Sequence, residues 1–553
     1  MKKQINLILT VLIPIIIWMI PTHAIPIEGL SLMEHRVMAI FSFAVLSWIL
    51  EPIPIFATSV LIIVLEIFTL SNGGLVPFKK SVSEITFSQA QETTISLIAK
   101  ESSISTEKAE AQFKAYLLAK KEDAKTQLVA SLEEANAIDI KEEGTYALIE
   151  QEKAYAKVAK AHKKNNAGLI PYTSIMNNFA HRIIMLFLGG FFLAAAATKY
   201  RLDTNLARIL VKPFGTKPAY VTLGIMLITA VFSMFMSNTA CTAMMLAVVA
   251  PILKTRKNTD KGRIAMALAV PFAANIGGMG TPIGTPPNAV AMKYLVDKYA
   301  ISFDQWMLFA VPLVVVLLTI VWVLLTTLYK ADVEHIKLEI KGKFLKTPQA
   351  FVVYVIFAGT ILLWMTGKLH GIPSTVVALI PVAVFVATGV ITAKDLKTLS
   401  WDVLWLISGG FALGGAMEQT GLSSTLVNAI PFASMSPMLI IVIASVVTML
   451  MATFMSNTAT ANLLLPIMAS LGMALGTALY AVGGFQGLVV GVTLSASLGM
   501  ALPISTPPNA MAHATGMIDI KAMAKCGAIM SIIGIIAILA TVMIMKSLGF
   551  FVL

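Results

Sequence analysis

The hydrophobic pattern of this chain consists of long apolar runs interrupted by short polar words. Runs near residues 5–22, 33–50 and 54–72 are long enough to cross a bilayer as helices, which takes about 20 apolar residues each. The first, "MKKQINLILTVLIPIIIWMIPTHA", has the basic start and small-residue end of a secretory signal. Its apolar stretch can span, however, and another membrane segment follows at once, so it reads as a first transmembrane helix. The pattern then changes: residues 77–170 hold 14 Lys and 14 Asp or Glu, a density of charge that lipid does not accept. Phe113, Leu117 and Leu118 at helical spacing behind Ser105 or Thr106 as a cap predict a helical hairpin inside this soluble insertion. A fourth span at 183–198 leads to "KYRLDTNLARILVKPFGTK", a basic amphipathic stretch suited to lying on the membrane surface.

Two later runs carry a polar triplet at mid-length. Residues 219–253 contain Ser237-Asn238-Thr239 and have basic clusters at both ends, so this run should enter and leave on one side as a re-entrant hairpin. Residues 438–475 contain Ser456-Asn457-Thr458, and their flanks hold no Lys or Arg, which suggests entry from the opposite face. Two proline-rich words, "TPIGTPPN" ending at Asn288 and "LPISTPPN" ending at Asn509, must break the helices that contain them, at 264–292 and 487–513. The landmarks repeat in order: Gly189-Gly190 and Gly409-Gly410 lie 220 apart, the triplets 219, and Asn288 and Asn509 221. Three landmarks at nearly constant offset mark a duplicated fold. The expected fold is an all-α polytopic membrane protein of about 11 transmembrane helices in an inverted repeat, with two re-entrant hairpins and two broken helices. Its parts are N-terminal scaffold helices at 1–76, the insertion at 77–170, a first half at 171–330, scaffold helices at 331–400 and a second half at 401–553. With Lys2 and Lys3 inside, the insertion falls outside, and the first hairpin enters from within.

Composition agrees and narrows the chemistry. With 57% hydrophobic residues, 13% charged and a mean hydropathy of +0.82, a water-soluble globule is excluded. The net charge of +12 reflects basic loops and implies no nucleic-acid partner. Cys241 and Cys526 lie in apolar runs without Cys or His neighbours and read as small core residues. No Asp, Glu, Lys or Arg occurs at 219–253, 264–292 or 421–518. An anion in these segments would be met by N–H groups and helix dipoles, and its charge offset by bound Na⁺ held on hydroxyl, amide and carbonyl oxygens. This is the linkage a symporter needs.

At these residues the sequence resembles the divalent anion/sodium symporters, a family of dicarboxylate, citrate and sulfate transporters. The paired Ser-Asn-Thr tips, the paired Thr-Pro-Pro-Asn breaks and the surrounding Gly-rich helices, found in register in both halves, carry the likeness. The resemblance implies sodium-coupled symport of a di- or tricarboxylate such as succinate, malate or citrate, no enzymatic activity, and elevator motion of a transport domain in a homodimer of a bacterial inner membrane. It implies two or more Na⁺ sites, the first using Ser233, Ser237, Asn238 and Gly284, the second Asn457, Ser505 and Pro507 with Thr453. It also implies substrate contacts from Ser237, Asn238, Thr239, Ser456, Asn457 and Thr458, and from Thr285, Pro286, Thr506 and Pro507 at the breaks. Lipid and a small anion are the remaining partners. The chain departs from the pattern where Ala452 stands opposite Ser233, at Met500, and in the insertion.

Other readings differ in class. An embedded hydrolase would use Ser237 or Ser456 with His513, yet no acidic partner is near. A channel conflicts with hairpins closing from opposite sides. A proton-coupled or sodium-independent anion exchanger, or a sulfate carrier, is the runner-up; proton coupling would call for a buried carboxylate, and the repeated core offers Glu418 near a span end. Gly189, Gly190, Gly409 and Gly410 read as sites of close helix packing.

Overall fold

The structure, a computed structural model, describes residues 2–27, 29–79, 95, 99, 105–111, 169–255, 260–336, 343–429, 432 and 435–551. Among these the regular structure is helical. Seven helices are long and apolar enough to cross a membrane, among them Leu32–Leu50, Pro348–Met365, Pro437–Phe454 and Ile520–Ser547. Six shorter apolar helices of 10–17 residues accompany them. Among the described residues seven helices thus have the length to cross, where the hydrophobic pattern predicts about 11 spans. The shorter ones include Pro218–Ser233 and Gly484–Ala496, which stop at a turn or at a break.

The outer faces of the long helices are apolar where a soluble protein would be polar. In Pro348–Met365, Phe351 is 68% and Leu362 61% exposed, while Trp364 on the opposite face is 1% exposed. Such a helix satisfies its own backbone and offers hydrocarbon to hydrocarbon, which is what lipid permits. Several begin on a side-chain cap: Ser302 and Gln305 form a capping box at Phe303–Leu328, and Ser436 precedes Pro437 at the first position of Pro437–Phe454. Cys241 and Cys526 are buried and free. At Gly189 and Gly409 a methyl would collide with Ala378 and Ser59, so both positions need a residue without Cβ for their helices to pack.

The chain divides into two compact units, the larger comprising residues 1–30, 37–64 and 175–553 and the smaller residues 31–36 and 65–174. In the smaller unit Arg36 donates through Nη1 to the carbonyls of Thr69 (3.2 Å) and Phe78 (3.1 Å). Ser71 pairs with Ile170 in a parallel bridge, and Tyr172 N donates to Asn72 Oδ1 (3.0 Å). The two ends of the insertion are thus stitched side by side. The helical hairpin expected within it lies outside the described residues, apart from 105–111, where Ser105 Oγ accepts from Lys108 N (3.4 Å).

In the larger unit two helix pairs turn at the polar triplets. Pro218–Ser233 turns into Asn238–Thr255, and Pro437–Phe454 into Asn457–Leu475. Helix Gly262–Gly278 packs on both arms of the first pair, and Gly484–Ala496 on both arms of the second. Each of these helices stops, passes through a coil, and restarts at a proline: Pro286–Tyr294 in the first half, Pro507–Ala514 in the second. The restarted segments cross over. Pro286–Tyr294 packs on Asn457–Leu475, and Pro507–Ala514 packs on Asn238–Thr255.

Candidate functional site

The site begins with how the two turns are capped. Ser237 Oγ accepts from Ala240 N (3.2 Å) and Ser456 Oγ from Ala459 N (3.2 Å), so each triplet serine is the cap of the helix it opens. A hydroxyl that accepts at its oxygen keeps its proton to donate elsewhere. Asn238 and Asn457 then occupy the first helical positions, where backbone N–H groups lack intrahelical acceptors.

The breaks are held by the asparagines that end the proline words. Asn288 Nδ2 donates to Thr281 O (2.8 Å) and Gly278 O (3.2 Å), carbonyls the interrupted helix cannot satisfy. Trp306 Nε1 takes Met279 O (3.0 Å). In the second half Asn509 Nδ2 donates to Met500 O (2.7 Å) and Leu502 O (3.1 Å). The break is fastened to the neighbouring turn by a hydroxyl in each half, but from different positions. Thr281 Oγ1 donates to Met234 O in the first, and Ser505 Oγ to Thr453 O (2.6 Å) in the second. Thr506 Oγ1 caps its own helix by accepting from Asn509 N (3.2 Å).

Both turns and both breaks meet at one cavity of about 330 Å³. Ser237, Asn238, Thr239, Gly284, Thr285, Pro286, Ser456, Asn457, Thr458, Ser505, Thr506 and Pro507 all line it. Four helix N-termini, of helices 18, 9, 19 and 8 residues long, therefore converge there. The two that open at Asn238 and Asn457 bring free backbone N–H groups, while the two that open at Pro286-Pro287 and Pro507-Pro508 have no N–H at those positions and contribute their dipoles alone, so the environment favours an anion without a cationic side chain. Among the described lining residues there is no Lys, Arg or His.

Behind the first turn lies a nest of oxygens. Ser233 Oγ is 2.6 Å from Asn238 Oδ1 and 2.7 Å from Ala274 O, yet has one proton for two acceptors. A methyl built on Gly278 would stand 2.6 Å from Asn238 Oδ1 and 2.9 Å from Gly284 O, so the bare glycine leaves a hollow between these oxygens. Neutral oxygens around a gap are a donor set suited to a hard monovalent cation. Ser233 and Thr453 do not line the cavity; Ser233 lies behind Asn238, and Thr453 Oγ1 donates to Met449 O (2.9 Å). At the second turn Asn457 Oδ1 is buried and has no hydrogen-bond partner, an acceptor awaiting a donor or a cation.

Sequence reasoning missed several lining residues. Asn275 stands out as the lone polar residue of the run "AVPFAANIGG", a signal that could have been taken up. Asp402, in the first turn of Trp401–Thr420, brings a carboxylate to the wall that the charge-free segments did not announce. Phe187, Phe191, Phe56 and Leu406 supply an apolar side that no motif marks. His513 lies outside the cavity and is bonded through Nδ1 to Ile518 O (2.9 Å), so no nucleophile and base are assembled.

A helical membrane chain whose turns and helix breaks converge on a cavity has the build of a transporter. The comparisons give the family. The family described as Citrate transporter (CitMHS) matches residues 158–483 and 361–551. The sodium-dependent dicarboxylate transporter SdcS of Staphylococcus saprophyticus is 31% identical over 420 residues, covering 68% of this chain and 79% of that protein. The SdcS of Staphylococcus aureus is 31% identical over 408 residues, 66% of this chain and 77% of its own. The solved YdaH transporter of Alcanivorax borkumensis aligns over 68% of this chain and 88% of its own, with 15% identity and a TM-score of 0.49. This chain belongs to the citrate transporter family.

Proposed function

We propose that this transporter carries a dicarboxylate or tricarboxylate in symport with sodium, by alternating access of elevator type in a homodimer. The observation that carries the reading is the cavity where both Ser-Asn-Thr turns and both proline breaks meet without a Lys, Arg or His. A dianion there is held by helix N-termini and hydroxyl protons, and needs cations nearby to offset its charge. Ser233, Ser237, Asn238 and Gly284 would hold one Na⁺, with Ala274 O beside them. Asn457, Ser505, Pro507 and Thr453 would hold a second, the last through the carbonyl already bonded to Ser505. Ser237, Thr239, Ser456, Thr458, Thr285, Pro286, Thr506 and Pro507 would face the anion. The relatives named sodium-dependent dicarboxylate transporters support both the ion and the substrate class.

In this mechanism the two halves, 171–330 and 401–553, form an inverted repeat whose hairpins enter from opposite faces, with the insertion on the outer side. The crossed packing of the restarted helices on the other half's hairpin makes the site a single body, as elevator movement requires. Replacing external Na⁺ with choline in proteoliposomes should abolish uptake of succinate, malate and citrate. Equal uptake in choline would reject symport.

One observation favours a second reading. Asp402 at the wall is a carboxylate able to take a proton, which a proton-coupled carrier would use. Under that reading Asp402→Asn would abolish accumulation driven by a pH gradient, whereas under sodium symport it leaves Na⁺-driven accumulation in place.

A further inference from the structure

The amide of Asn275 has its orientation fixed by the other half of the protein, and the fixed orientation leaves an acceptor without a donor. Asn275 is 1% exposed, sits near the end of Gly262–Gly278, and lines the cavity. Its Nδ2 donates to Thr506 Oγ1 (3.2 Å) and to Asn509 Oδ1 (3.1 Å). Asn509 cannot turn round, because its own Nδ2 is committed to the carbonyls of Met500 and Leu502 at the second break. A flipped Asn275 would set oxygen against oxygen, so the network decides the assignment that geometry alone leaves open. Asn275 Oδ1 is thereby turned from Thr506 and Asn509. It is buried and has no hydrogen-bond partner.

A carboxylate cannot satisfy this atom, since an ionised carboxylate only accepts. In the proposed mechanism the carboxylates of the substrate go to the helix starts at Asn238 and Asn457 and to hydroxyl protons. What remains is a buried neutral acceptor on a residue that lines the cavity, next in sequence to Ala274, whose carbonyl accepts from Ser233, and tied to the second half's break. We infer that Asn275 Oδ1 receives the hydroxyl proton of a 2-hydroxydicarboxylate, making Asn275 the residue that favours malate over succinate. The inference rests on the dicarboxylate reading above and deepens it. A site built to bond a hydroxyl discriminates against the analogue lacking it, because its own polar group is left unpaired. For one neutral hydrogen bond the expected preference is about tenfold.

The test is competition against labelled succinate uptake into proteoliposomes holding the full chain, with Na⁺ outside. The competitors are malate, succinate and 2-fluorosuccinate, in which fluorine replaces the hydroxyl and has no proton to donate. Malate should inhibit at about tenfold lower concentration than the other two. Asn275→Ala, which also removes the Nδ2 bonds to Thr506 and Asn509 and so should slow uptake, should bring malate level with succinate as a competitor of the uptake that remains. The wild-type ranking of malate over fluorosuccinate needs no variant, so a variant that fails to assemble does not spare the inference. Equal inhibition by malate and fluorosuccinate overturns it. So does a variant that keeps the malate preference and instead needs more Na⁺, a result that would make Oδ1 an ion ligand. Failure of wild type to take up any dicarboxylate would strike the underlying reading, and is distinct from equal competition, which leaves that reading standing.

Discussion

Adding one methyl at Gly278 tests the first ion site without removing any of its oxygens. Built on the backbone, the methyl stands 2.6 Å from Asn238 Oδ1, 2.9 Å from Gly284 O and 3.0 Å from Asn238 Nδ2. Carbon and oxygen rest comfortably at about 3.3–3.6 Å, so both oxygens must retreat by several tenths of an ångström. Metal sites tolerate displacements of about 0.2 Å. The two glycines face each other closely, since a methyl built on Gly284 would in turn stand 2.4 Å from Gly278 O. Overpacking of this kind costs about 1–3 kcal/mol. Taken from the ion-bound state at about 1.4 kcal/mol per tenfold, that raises the half-saturating Na⁺ concentration by about 5-fold to about 150-fold. The assay is initial uptake of substrate into proteoliposomes against a Na⁺ titration, with K⁺ as the balancing ion. Gly359→Ala is the control, since a methyl there meets nothing within 4 Å. A Gly278→Ala protein that assembles and keeps wild-type Na⁺ dependence would refute the placement of an ion among these oxygens.

Asn238→Ala and Asn457→Ala should each raise the Na⁺ concentration needed for transport, at least tenfold by loss of one amide oxygen; an effect on anion affinity alone would remove asparagine from the ion sites. A cysteine in place of Ala130 should react with an impermeant thiol reagent in intact cells, and labelling only after permeabilisation would invert the proposed orientation. Asp395, between two spans, is held at about 2 by the hydrogen bond from Lys199 Nζ (2.6 Å) and then by Thr392. Its depressed value means stability present above the ordinary carboxylate pKa and lost as pH falls from about 4 toward 2. The pair is partly exposed, so Asp395→Asn should cost less than about 1 kcal/mol. That cost should be constant in thermal unfolding between pH 5 and 8 and shrink below about pH 4; a difference growing toward acid would contradict the assigned sign.

How much could be read from the sequence depended on whether a feature was local. The triplets and proline words were readable because capping and helix breaking act within a few residues: Ser456 caps Ala459, and Pro286 and Pro507 restart helices. The repeat offsets placed these words in register, and their meeting at one cavity follows the pairing of halves. What escaped was carried by distant partners. The tie of break to hairpin moves from Thr281 in one half to Ser505 in the other, while the aligned positions, Gly284 and Leu502, carry no hydroxyl. Sequence reasoning sought a second-half match for Ser233, found Ala452, and had no means of seeing that the fastening had shifted. Hydropathy alone does not distinguish a run that crosses from one that turns at mid-depth; the basic clusters at both ends of 219–253 and the prolines Pro503, Pro507 and Pro508 made the turn and the break readable.

The scarcity of cationic side chains around the cavity is a physical requirement of coupling. A full helix N-terminus carries about half a positive charge, so the two with free N–H groups, at Asn238 and Asn457, supply roughly one charge and the two that begin at Pro-Pro add less, which leaves part of a dianion's charge for bound cations to offset. Such partial charges are softened by nearby solvent and weaken when the site opens. An arginine in their place would hold the carboxylate at full strength whether or not Na⁺ were present, and the anion would bind alone. In the proposed mechanism Asn238 and Asn457 stand at the junction, each beginning a helix whose N–H groups face the anion while its amide oxygen faces an ion. Bound Na⁺ polarises that amide and adds its field to the helix terminus, and the anion returns the same favour to the ion, because coupling between two ligands is reciprocal. In the proposed mechanism a cavity built this way is weak for either ligand alone and strong for both together, so the anion moves only in the company of sodium.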